Sequence, residues 1–439
     1  MEKQYIIIYI ILWAIALLTH IYKHRTFDAG AILITSYLLY AIASYILYTD
    51  FYYEILYRGI TLLPFIYLFL ILYITSSSIR HFNPLKIDKI QKPSMQLLNA
   101  FCIFYILMSF ISLPSILSNF NALTLIMNTQ DAGADLYRES VTNSQYSSSS
   151  MGSGISNLPS IFTNFLSRLS ILFLFYQLTL EKRNKWIIIG LIISIALYIL
   201  SYLLTGQRGG TYKVVVTSAI TYFALRKFIP KSINQRIIKI GVIGLILLCI
   251  PYYFLTASRF SSNAGGLASS ISAYMGQGNL NFNLYALDNN GIRYGDRVVP
   301  VFKKLMGFEN VPDNFWERRW KYPNLRINDE SFVTYAGDFT IDFGPVMGGA
   351  ILLFLGLFVL WKTRIKKKTL LFHQLILLHF MMCICMEGGM SLYPFADSSN
   401  MVVVIYFIAY MLFKYEYLGR LRKSKDRIVS TQNHISENT

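Results

Sequence analysis

The sequence predicts an all-α polytopic membrane protein of about eleven transmembrane helices (ten to twelve), with one large external loop that carries short helices. Three observations predict it. The 439 residues are 54% hydrophobic and only 14% charged, with a mean hydropathy of +0.44, whereas soluble domains carry about 25% charged residues. The apolar residues come in runs, and crossing a hydrocarbon core takes ~20 such residues in helix. The basic residues, finally, concentrate in every second connection between those runs.

The runs lie at 5–22, 31–48, 59–75, 97–118, 161–180, 186–204, 212–227, 237–255, 343–361, 370–387 and 400–415. The first follows MEKQ with neither a basic leader nor a small-residue cleavage site, so a retained helix is expected. The connections 23–30, 76–96, 181–185, 226–239 and 362–369, with the tail after 413, hold 25 of the 40 Lys and Arg against six acids. The segment 256–342 is balanced, nine basic against nine acidic. By the positive-inside rule the basic set is cytoplasmic, which places the N-terminus outside and the C-terminus inside. The net charge of +17 is then a topology label, and no nucleic-acid partner is expected.

Four regions follow: 1–255, with helices one to eight and a Ser-rich external loop at 119–160; 256–342, the large external loop; 343–415, with helices nine to eleven; and 416–439, a basic cytoplasmic tail. A loop as long as 256–342 is uncommon without structure of its own. ISAYMGQGNLNFNLYALDN is expected to form a short helix near the membrane surface. Cys102, Cys249, Cys383 and Cys385 all fall in or beside apolar runs and read as buried small residues rather than disulfides or a zinc site.

Three segments carry candidate chemistry. In LLTGQRGGTYK, Arg208 follows the sixth run at its outer end, among glycines that can expose backbone N–H groups to an anion, with Lys213 nearby; the bland alternative is an Arg snorkelling beside a glycine turn. In the large loop, Arg293 and Arg297 share a face if helical. Arg318, Arg319, Lys321 and Arg326 lie among Trp316, Trp320 and Tyr322, a mixture suited to phosphate and sugar rings but equally to a solvated loop with internal ion pairs. NDESFVTYAGDFTIDFGPVMGG then offers Asp329, Glu330, Asp338 and Asp342 as bases or as ordinary helix caps, with Gly344 and Gly348 read as helix packing. GQRGGTYK lacks Walker A spacing, no Asp-x-Asp pair is present, and His20 with His24 has no evident carboxylate partner, so neither metal nor cofactor is expected. His379 and Glu387, on the tenth helix, are minor candidates for lining a cavity.

A helix ending in a Gly–Arg–Gly turn, a large external loop, and Tyr-x-Gly-Asp-Phe…Asp-Phe-Gly leading into the next helix resemble Wzy-type polymerases, the O-antigen and capsular oligosaccharide repeat-unit polymerases. The sharp part of the likeness is confined to 204–213 and 328–349. It implies a fold similar to C-type membrane glycosyltransferases. It also implies transfer of a glycan chain from undecaprenyl diphosphate to the non-reducing end of another lipid-linked repeat unit, at the outer face of the bacterial cytoplasmic membrane. The partners implied are the lipid-linked oligosaccharide, the bilayer, a chain-length regulator and a flippase. Read this way, Arg208 and Lys213, with Arg293, Arg297 and Arg326, hold the diphosphate; Glu330, Asp338 or Asp342 is the base; and Trp316, Trp320 and Tyr335 meet the acceptor sugar. The related ligases often carry a His on the large loop, and none occurs in 256–342. The alternatives are a ligase-like transferase, a lipid-linked oligosaccharide flippase or other carrier, and an envelope scaffold.

Overall fold

The structure, a computed structural model, describes residues 2–50, 53–118, 120–121, 135–136, 158–260, 266–329, 331–365, 368–391, 395 and 397–437. Its principal helices are α1 (Glu2–His24), α2 (Ala29–Thr49), α3 (Leu62–Thr75), α4 (Met95–Ser118), α5 (Leu158–Thr179), α6 (Lys185–Leu204), α7 (Gly209–Leu225), α8 (Lys231–Phe260), α9 (Gly266–Asn281), α10 (Pro300–Leu305), α11 (Phe315–Lys321), α12 (Tyr335–Phe343), α13 (Pro345–Lys362), α14 (Phe372–Gly388) and α15 (Met401–Glu437). Two short parallel strands, β1 (Lys89–Ile90) and β2 (Thr369–Leu370), complete it.

A helix stands at each of the eleven apolar runs. Eight helices are long and apolar enough to cross a membrane, which makes this a helical polytopic membrane protein. The other three, α3, α7 and α14, have 14, 17 and 17 residues, short for an upright span. Most of the Ser-rich loop 119–160 lies outside the described residues.

The basic connections meet at one end of the bundle. β1 pairs Lys89 and Ile90 with Thr369 and Leu370, joining the connection after α3 to the one after α13. The Lys227 ammonium donates to the carbonyls of Pro84 and Ile87 at 3.1 and 2.6 Å, Arg226 donates to Thr26 at 2.9 Å, and Arg420 to the Lys92 carbonyl at 3.0 Å. Five of the six basic segments are thus tied together. At the opposite end, Glu2 accepts from Gly59 N at 3.1 Å, and Asn283 brackets Thr61 through its N–H and C=O at 2.9 and 2.7 Å.

Lipid is as apolar as Leu, so helices associate by close packing and not by hydrophobic transfer. Trp13 is fully buried, with ring centroids 4.8 Å from both Tyr37 and Phe69, and Tyr9 stacks on Phe65 at 5.0 Å. Glycines set the closest approaches. A Cβ on Gly276 would meet the Ala43 carbonyl at 2.6 Å, and one on Gly356 would meet the Thr75 Cα at 2.6 Å.

Three expectations in and beside the loop meet the structure differently. The helix expected in ISAYMGQGNLNFNLYALDN forms, as the latter part of α9 and the π-helical turn Phe282–Ala286. It packs along α2, because Gly276 admits the α2 backbone and Ser44 donates to the Gly276 carbonyl at 2.8 Å. Arg293 and Arg297 lie in a turn, not a helix; Tyr294 and Gly295 have φ of +54° and +83°, which curls the chain tightly enough to bring both guanidiniums inward. Gly348 is a packing residue, with a Cβ position 2.4 Å from the Phe339 carbonyl, whereas Gly344 (φ +83°) makes the break between α12 and α13.

Candidate functional site

Two polar centres are built from opposite starting points. The first is in the loop. α12 begins at Tyr335, so Asp338 and Asp342, four residues apart, share a face, and both turn toward Arg293. The Arg293 guanidinium donates to Asp342 at 2.6 Å, Asp329 at 2.5 Å and Asp338 at 3.2 Å. Arg297 lies 3.0 Å from Asp338 and donates to the Asp329 carbonyl at 2.8 Å, and Asp342 also accepts from the backbone of Arg297 and Val298 at 3.0 and 2.7 Å. Arg318 closes the knot on Asp329. Asp296 gathers Lys303, Lys321 and the Tyr322 hydroxyl beside it.

These groups are hidden: Arg293, Asp338 and Asp342 have no accessible surface, and Arg297 has 1%. Burial alone would raise the Asp329 carboxyl, but Arg293, Arg297 and Arg318 outweigh it and hold the group at about 2. In Asp338 burial wins, helped by the Asp342 charge, and the carboxyl is raised despite both arginines. Asp338 Oδ2 has no hydrogen-bond partner among the described residues.

The other residues selected from the sequence scatter. Arg326 is half exposed and pairs with Asp288 at 2.9 Å. With Arg319 and Tyr322 it lines a cleft of 160 Å³ on the loop. Trp316 and Trp320 are 37% and 75% exposed on α11. Tyr335 is fully buried beneath Gly388, close to the Cys385 thiol. Glu330 lies outside the described residues.

The second centre is inside the helical body. Arg168 sits midway along α5 and grips Glu387 near the end of α14 with both arms, Nε to Oε1 at 2.8 Å and Nη2 to Oε2 at 2.6 Å. Glu387 accepts a third bond, from the Thr217 hydroxyl of α7, at 2.9 Å. One turn further along α7, Thr221 meets His379 Nε2 at 2.8 Å, and His379 Nδ1 meets the Tyr406 hydroxyl at 2.8 Å. Above the pair, Tyr198 and Tyr202 both donate to Asn164, at 3.2 and 3.1 Å, and Lys213 reaches the Tyr202 hydroxyl at 3.5 Å.

Arg208 is the residue preceding α7, placed by the turn at Gly206 (φ +67°). Its guanidinium donates to Thr256 at 3.2 Å and lies 4.7 Å over the Tyr274 ring. Arg208 and Lys213 therefore flank the start of α7 at the end opposite the basic connections, with Arg168 deeper between the helices. Sequence reasoning missed Arg168 and Asp296, and it grouped Arg318 with the loop cations without its partner Asp329. For Arg168 a signal existed, since an Arg inside an apolar run is costly unless paired.

Fold and sites together define a class: a helical polytopic membrane protein with a buried Arg–Glu pair in its body and an Arg–Asp knot in a large loop. No family model, curated protein or solved structure matches the chain.

Proposed function

We propose that this chain is a bacterial oligosaccharide repeat-unit polymerase. It spans the cytoplasmic membrane about eleven times, N-terminus outside, and moves a glycan chain from undecaprenyl diphosphate to the non-reducing end of a second lipid-linked repeat at the outer face. The observation that carries the reading is the set of cations at one end of the helical body: Arg208 and Lys213 at the start of α7 above the buried Arg168, where a lipid-borne diphosphate could meet them with its tail among apolar helices.

In this reaction the bond from the anomeric carbon to the diphosphate oxygen breaks, and a bond to the acceptor hydroxyl oxygen forms. Negative charge grows on the departing diphosphate, and fixed cations are the strongest means of stabilising it. Arg208 and Lys213 take that role. Arg293 and Arg297, held by carboxylates, brace the loop, while Arg326, Trp316 and Trp320 present a surface for sugars. The acceptor proton needs a base, and Asp338 suits it best of the three carboxylates considered: burial raises it and one oxygen is unclaimed. Metal is not required by this scheme.

The direct test is incubation of the purified protein with a diphosphate-lipid repeat unit. Dimeric repeats and released lipid diphosphate are expected; hydrolysis alone, or no product, would sink the proposal. The Arg168–Glu387 pair favours a carrier as second reading, because ionisable groups within spans mark transport pathways. A cell lacking the protein that still displays single repeats outside excludes that carrier.

A further inference from the structure

The inner corner between α1 and α2 holds a cluster that the proposed reaction does not use. His20 and His24 lie one turn apart on the last part of α1, and so on one face. The chain then reverses through Arg25 (φ +53°), and Asp28 caps α2 by accepting from Ala31 N at 3.0 Å. The carboxylate expected to be missing from this pair of histidines is therefore eight residues away in sequence and adjacent in space. His20 Nε2 is 2.8 Å from Asp28 Oδ1, and His24 Nδ1 is 2.7 Å from Oδ2. His20, His24 and Asp28 are only 6%, 8% and 0% exposed.

We propose that His20, His24 and Asp28 form a binding site for a divalent transition-metal ion of the zinc type, fastening α1 to α2. The three donor atoms lie within 4.8 Å of one another. Two imidazole nitrogens and one carboxylate oxygen are a common zinc set, with a water as fourth ligand. Metal–ligand bonds of about 2.1 Å in a tetrahedron place donors about 3.4 Å apart, so a movement of roughly half an ångström from the hydrogen-bonded positions opens the site. On binding, the ion takes a lone pair of His20 Nε2 and of His24 Nδ1, each ring keeps one proton on its other nitrogen, and a ring that carried two protons releases the second to solvent.

Two features support a built site. The Ala31 N–H orients the carboxylate from behind, as outer partners of metal ligands do. Gly30 makes room for the ligand ring: a Cβ there would lie 2.6 Å from His20 Cε1 and 3.2 Å from the Arg80 Cα. The site stands at the end of the bundle where the basic connections meet, remote in the fold from α12 and from the start of α7. Its test is therefore independent of the polymerase reading.

The experiment uses the tag-free full chain in detergent, stripped with EDTA, dialysed, and given zinc or cobalt. One equivalent of metal per chain is expected, with a visible cobalt spectrum typical of nitrogen and oxygen ligands and a higher unfolding temperature with metal than with EDTA. His24→Gln and His20→Gln keep a hydrogen-bond donor and the Asp28 cap, yet should weaken binding at least tenfold; His81→Gln should not change it. If the wild type retains no more metal than His24→Gln, or EDTA leaves its unfolding temperature unchanged, the cluster is a hydrogen-bonded triad only and the proposal is wrong.

Discussion

Arg168 and Glu387, 219 residues apart, close a two-armed ion pair between the middle of α5 and the end of α14, with the shortest bond at 2.6 Å. Both side chains are almost wholly buried, at 2% and 0% exposed. A buried pair gains little over an apolar substitute, but removing one partner strands the other charge. Glu387→Gln or Arg168→Met alone is expected to cost about 3–5 kcal/mol, and the double change Arg168→Met/Glu387→Met less than either. Thermal unfolding in detergent decides it; a Glu387→Gln protein unfolding at the wild-type temperature would show that the pair contributes nothing.

The loop knot has an acid limit. The Asp329 carboxyl, ordinarily near 3.8, is held at about 2 in the folded protein. Because the folded value is depressed, its stabilisation is complete above about pH 4 and disappears as the pH falls through about 2. The linked free energy is about 2 kcal/mol. Protease cleavage within 290–330 should rise steeply over that interval in the wild type. In Asp329→Asn it should be high at pH 5 already, and a flat wild-type profile would count against the assignment.

In the proposed polymerase reaction, the residue roles separate by charge and by proton transfer. Arg208→Ala is expected to reduce a polymer ladder in cells to single repeats, with Arg208→Lys restoring part of it and Arg208→Gln none. Asp338→Asn also removes a buried partner of Arg293 and Arg297, so it is compared per mole of folded protein: in vitro turnover should drop by two orders of magnitude or more, in line with the ~10²–10⁴-fold contribution of a positioned base. Full ladders from either the Ala or the Asn variant would remove that residue from the mechanism.

Gly276 lets α9 lie against α2. Its added Cβ would have three α2 backbone atoms within 2.7 Å, and backbone cannot swing aside as a side chain can. Gly276→Val should therefore displace α9 and lower stability by about 1–3 kcal/mol through overpacking. Gly241→Val is the control, since nothing lies within 4 Å of the corresponding position. Equal unfolding temperatures for the two variants would refute the close contact.

Topology can be read with single cysteines at Lys425 and Asp313 in a background where the four natural ones are replaced. An impermeant maleimide on intact cells should label the Asp313 position and spare the Lys425 position. The opposite pattern would invert the membrane orientation.

The helices were legible in the sequence because the demand that makes them is local: each segment in lipid must satisfy its own backbone and offer an apolar surface. Even the common end of the basic connections could be read from charge alone. The sites could not. Asp338 and Asp342 stood out as candidate bases, but a sequence cannot show that Arg293 faces both and Asp329 as well, since that convergence depends on a turn with two positive φ angles. Nor can it show that Arg168, one residue in an apolar run, has Glu387 as its partner. Asp28 lay close enough to His20 and His24 to be counted, yet only the reversal between α1 and α2 aims its carboxylate at both rings. Hydropathy is a sum over neighbours along the chain, whereas a buried charge is decided by the one distant group that satisfies it.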